Sequence, residues 1–133
     1  MNLNNTCFAT GRLTTDVTFN ENSDGSKKLR FTLAVEDNYS GRDGQKGQQF
    51  LPFEKYIGAG KSAGIFGTFQ KGEMVTVGYH VENNNYTDKN GVAQYKLVLV
   101  LDEGTHRESK TAVERRAADA AAAAAAMETM DAE

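Results

Sequence analysis

Two stretches of strict alternation limit what this chain can fold into. In LRFTLAVED (29–37), Leu29, Phe31, Leu33 and Val35 share one side of an extended backbone, and Arg30, Thr32, Ala34 and Glu36 share the other. MVTVGYHVE (74–82) repeats the pattern with Val75, Val77, Tyr79 and Val81. A period of two marks a strand with one face on a core and one toward water. YKLVLVL (95–101) is apolar on both faces after Lys96, as a central strand would be. TCFATGRL (6–13) and FLPFEKYI (50–57) are less regular strands, and Pro52 gives the latter an edge position or a bulge. Asp24-Gly25, Asp43-Gly44 and Asn90-Gly91 are turn pairs suited to positive φ. The last of them makes NNNYTDKNGVAQY (83–95) a long hairpin between the fourth and fifth strands, with Tyr86 on its ascending arm.

Between strands three and four, GAGKSAGIFGTFQKG (58–72) predicts a short helix carrying Phe66 and Phe69 at i, i+3. Gly64 and Gly67 each weaken it by roughly 1 kcal/mol relative to alanine. Three strands, a helix and a two-strand hairpin is the order of an OB-fold, a five-stranded Greek-key barrel: an all-β domain with one short helix. The composition shifts near Gly104, so residues 1–104 form the barrel domain and 105–133 a flexible or partly helical, alanine-rich acidic tail.

Several chemistries have nothing to stand on. The single Cys7 excludes a disulfide framework within one chain, and with His80 and His106 it makes no zinc cluster. No His is paired with a nucleophile, so the expectation is a protein without enzymatic activity, metal or cofactor. GAGKS (58–62) resembles the end of a phosphate-binding loop, but the position that needs its first glycine is Lys55. The apolar runs are too short to span a membrane, and MNLNNT is not a signal peptide, which predicts a cytoplasmic protein without a membrane partner. Charge is uneven: residues 1–104 carry 11 basic and 12 acidic side chains, while 117–133 carry 4 acidic and no basic ones. A polyanion would therefore be held by local placement of charge rather than by a global field.

Tyr86 stands among asparagines and charged residues, where no neighbour offers an apolar bed, and this suits a platform for stacking something flat. Three stretches, TGRLTTD (10–16), FTLAVEDNY (31–39) and KGEMVTV (71–77) followed by YTDKNGVAQY (86–95), resemble in order and spacing the bacterial and phage single-stranded DNA-binding proteins. The resemblance covers roughly residues 5–103. Val17 stands where many members have proline, and a glycine-rich segment replaces the family's glutamate- and leucine-rich helix. These departures point to a phage or mobile-element member, acting in the host cytoplasm if phage-encoded.

The resemblance implies sequence-independent binding of single-stranded DNA in replication, recombination and repair. Matched position by position, its stacking aromatics are Tyr39, Phe50, Tyr56 and Tyr86, with Phe53 the alternative to Phe50. Arg12, Lys27, Lys28, Arg30, Lys55, Lys61, Lys89 and Lys96 are the candidate phosphate contacts. A homotetramer or homodimer is implied as well. The family's tail ends in an acidic, hydrophobic tip that recruits replication and recombination proteins. Here the tip is METMDAE, with Glu128, Asp131 and Glu133 beside Met127 and Met130, and it lacks a terminal aromatic. The other reading of the barrel is an assembly module whose aromatics make protein contacts, with weak single-strand binding.

Overall fold

The computed structural model describes residues 2–131, without the side chains of Lys110 and residues 128–131, so the acidic side chains of the tip lie outside the described residues. In chain order the strands are β1 (Cys7–Leu13), β2 (Thr18–Glu21), β3 (Lys27–Ser40), β4 (Lys46–Ile57), β5 (Met74–Asn83), β6 (Tyr86–Thr87), β7 (Ala93–Gln94) and β8 (Leu97–His106). One helix follows, α1 (Lys110–Asp131). The sheet order β1-β5-β8-β4-β3 closes on itself because β1 also pairs with β3 at Arg12 and Leu13. β2 lies beyond that crossing, antiparallel to β3. All pairings in the barrel are antiparallel except the β4–β8 seam, where Phe53 faces Leu99 and Glu54 faces Val100. This is the OB-fold.

Closure depends on a glycine. At Gly11, β1 leaves β5 for β3, and a Cβ there would lie 2.5 Å from the carbonyl oxygen of Ala34. No side chain fits so close to another backbone. Inside, Phe31 is the hub. Its ring meets Phe53 at 5.9 Å, Phe66 at 6.5 Å and Phe69 edge-on at 5.8 Å. Leu29, Leu33, Val75, Val77 and Leu101 fill the space around these rings. Tyr79 packs its edge on Phe53. Alternation therefore places the core on the faces that the sequence predicts.

Several elements differ from expectation. The predicted helix is only a single 3-10 turn, Gly64–Thr68, because Gly64 takes a φ of 62° and breaks the α geometry. It still seats Phe66 and Phe69 in the core. β2 was not predicted, and β3 and β4 run on to Ser40 and back to Lys46 as a ribbon mostly open to solvent. Strands wetted on both faces carry no apolar period to read. In the turns, only the glycines adopt positive φ: Gly25, Gly44 and Gly91, at 88°, 77° and 77°. Each returns its N–H to the carbonyl three residues back, at Asn22, Gly41 and Asp88. This is the geometry of a three-residue hairpin loop rather than a two-residue one.

The alanine-rich segment is helical from its first turn. The Ser109 hydroxyl accepts from the Ala112 N–H at 3.1 Å, and Val113 is buried. Glu108 clasps this end to the barrel. It pairs with Arg116, with Arg12 at 2.5 Å and with the Met74 N–H at 3.1 Å. These bonds, Arg116 first, outweigh the opposing effect of burial and hold the Glu108 carboxyl down at about 2, from an ordinary value of 4.5. From Ala117 to Met127 the helix is exposed.

Two predictions follow from this geometry. Gly11→Ala should destabilise the barrel by about 1–3 kcal/mol, read as a lower midpoint in denaturant unfolding; unchanged stability would mean that the crossing can move apart. Since the Glu108 carboxyl is depressed when folded, its contribution is full above pH 4.5 and is lost as pH falls toward 2. Glu108→Gln should therefore loosen α1 at neutral pH and lower the helical circular dichroism signal while the barrel remains folded.

Candidate nucleic-acid interface

Strand register carries one set of side chains to the outer face of the barrel. Pairing aligns Asn20, Lys28 and Tyr56 in one row across β2, β3 and β4, and Thr18, Arg30 and Glu54 in the next. Thr32 and Pro52 follow, then Arg12, Ala34 and Phe50. Alternate residues of a strand share a face, so Phe50, Pro52, Glu54 and Tyr56 all stand on one side of β4, opposite the buried Phe53.

The second wall is the long hairpin. Asn83 pairs with Leu97, the Asn84 N–H bonds the Lys96 carbonyl at 2.8 Å, and Tyr86 pairs with Gln94. The register is thus continuous from β5–β8 to the tip, and residues 82, 84 and 86 share a face with 94, 96 and 98. Two cavities lie between the walls. One, of about 230 Å³, is lined by residues that include Thr18, Thr32, Pro52, Lys96 and Leu97. The other, of about 650 Å³, includes Asn20, Lys28, Tyr56, Glu82 and Asn84. Arg30, Glu54 and Val98 line both, so the cavities form one groove.

The four matched aromatics are all exposed: Tyr39 65%, Phe50 61%, Tyr56 64% and Tyr86 52%. Phe53, the alternative to Phe50, is 2% exposed and belongs to the core. Tyr56 lines the groove, Tyr86 continues its hairpin wall, and Phe50 lies two rows along β4 from Glu54. Tyr39 stands apart, in the irregular stretch of β3 between Glu36 and Ser40.

The cations divide more sharply. Lys28, Arg30 and Lys96 line the groove. Lys55 borders it, but its ammonium donates to the Leu101 carbonyl at 3.4 Å and lies 5.7 Å over the Phe66 ring. Arg12 shares a row with Phe50, yet its guanidinium is held by Glu108 and the Gly72 carbonyl. Lys27 begins β3, Lys61 closes the turn from Gly58, and Lys89 sits at the hairpin tip; all three are exposed. The sequence reading missed Glu54, Thr18, Asn20, Asn84 and Leu97. Only the asparagine run carried a signal for any of them.

Asp88 organises the tip that bears Tyr86. Its carboxylate accepts from the Asn90 and Val92 N–H groups, each at 2.9 Å, and from Gln94 at 3.0 Å. The Val92 bond is the main reason its carboxyl lies below the ordinary range.

The sequence profile of the single-strand binding protein family matches residues 4–106. The chain belongs to this family. The matched residues take in the whole barrel and stop at the end of β8. A curated relative, the single-stranded DNA-binding protein of Lactiplantibacillus plantarum, is 27% identical over 115 residues, which cover 86% of this chain. The chain spans 56% of the length of that relative. Among the described residues, no helix is long and apolar enough to cross a membrane.

Replacing Asp88 with alanine should speed hydrogen exchange at the Asn90 and Val92 amides without altering exchange in β3. Unchanged protection there would mean that the backbone turn alone holds the tip.

Proposed function

We propose that this chain binds single-stranded DNA without regard to sequence, by stacking bases on exposed rings and placing phosphates near groove cations. The observation that carries the reading is the division of the aromatics. Phe31, Phe53, Phe66 and Phe69 are buried, whereas the four residues matched to the family's platforms are open, with Tyr56 lining the groove and Tyr86 on the hairpin that extends its second wall. A ring stacks on any base without reading its edge, which suits a protein that must hold every sequence. Lys28, Arg30 and Lys96 are the nearest phosphate contacts, with Lys89 beside Tyr86 and Lys27 and Lys61 farther out. Arg12 and Lys55 serve the barrel first.

The reading extends to a non-enzymatic role in protecting single strands during replication, recombination and repair. It also includes a homo-oligomer, dimer or tetramer. Phe8, 62% exposed on the outer face of β1, supports such a contact. Recruitment of replication or recombination proteins by the tail rests on its acidic composition alone.

Tyrosine fluorescence tests the central claim, since the chain has no tryptophan. Oligo(dT) should quench it and duplex DNA should not. Tyr56→Ala and Tyr86→Ala should each weaken oligo(dT) binding by about 1–3 kcal/mol. Each phosphate contact should add about 0.7 to the log–log salt slope, so one contact at Lys96 and one at the Lys28–Arg30 pair give about 1.4. No quenching and no binding at low salt would favour the assembly-module reading, in which the aromatics meet protein.

A further inference from the structure

We infer that Glu54 makes the groove selective for strands that bring bases to it, by holding the two central cations against ligands that offer only phosphates. This rests on the single-strand reading above. Glu54 stands at the junction of the two cavities, in the row with Thr18 and Arg30 and beside the row of Tyr56. Its Oε2 lies 3.1 Å from Lys28 Nζ and 3.7 Å from Arg30 Nε. The carboxylate side chain is 21% exposed, less than either cation it serves.

The groove is therefore not a basic track. Lys28 and Arg30 share one carboxylate, which leaves the cluster with a single excess positive charge. Glu82 adds a second carboxylate on the hairpin wall, 2.9 Å from His80 Nε2. Lys96 and Lys55 line the groove without an ion pair among the described residues, and Lys55 is turned to the Leu101 carbonyl instead. A phosphate that approaches Lys28 or Arg30 must either part the cation from Glu54 or settle beside a like charge. A base pays neither penalty, because its ring is uncharged and Tyr56 offers a face in the adjoining row. Backbone-only ligands gain little here, whereas a strand that stacks is held by its bases and depends less on these two cations.

The test compares the unmodified chain with Glu54→Gln, near-isosteric and checked for folding by circular dichroism, by anisotropy on labelled probes of equal length. The probes are oligo(dT) and an abasic deoxyribose-phosphate strand, each titrated across a salt series. Glu54→Gln should tighten the abasic strand about tenfold and oligo(dT) only about two- to threefold, and steepen the oligo(dT) salt slope by about 0.7 or more. Adding Arg30→Gln to that variant should return the abasic strand to its starting affinity. An equal gain on both probes, no change, or a loss would overturn the proposal. If the unmodified chain fails to bind oligo(dT) at low salt, the single-strand reading falls as well, and that result is distinct from the others.

Discussion

The parallel seam between β4 and β8 is the constraint on which the site depends. Only two residue pairs span it, Phe53 with Leu99 and Glu54 with Val100. Phe53 points inward and locks the seam to the aromatic core through Phe31 and Tyr79. Glu54 points outward into the groove. On either side of so short a seam the strands part, and the two cavities open where they do. A longer seam would close the barrel more completely and leave less room between β4 and the hairpin.

Rigidity and openness are thus assigned to different parts of one sheet. The buried phenylalanines fix the inner face, while the outer rows carry small and polar neighbours such as Ala34, Thr32 and Asn20. Ala34 beside the exposed Phe50 is a case in point, since a larger residue there would crowd that ring. The hairpin wall is held differently, by the backbone register from Asn83 to Tyr86 and by the Asp88 carboxylate at its tip. With a domain so nearly neutral, charge can act on a polyanion only through placement at close range.

The alternating faces of 29–37 and 74–82 could be read directly, because burial of one side imposes the period. The ribbon of β3 and β4 beyond Glu36 and the whole of β2 could not, because both of their faces meet water. Tyr86 could be read from its polar neighbours, but the other stacking candidates were legible only through family resemblance. Tyr39, Phe50, Tyr56 and Phe53 look alike in a strand, and exposure separates the last from the rest. For the cations the sequence was least informative. Arg12, Lys55, Lys28 and Arg30 are all basic strand residues, yet one clasps the tail helix, one caps the core and two share a carboxylate.

What the sequence determined by itself was the order of the five barrel strands, the core faces, the turn positions and the membership of a family, since these rest on local periodicity and motif spacing. What only the tertiary structure decided was the groove. Its walls come from strands far apart in the chain, and Thr18, Arg30 and Glu54 form a row only because cross-strand register aligns them. Register depends on pairing across the barrel, and no local pattern of residues encodes which side chain will find a partner there.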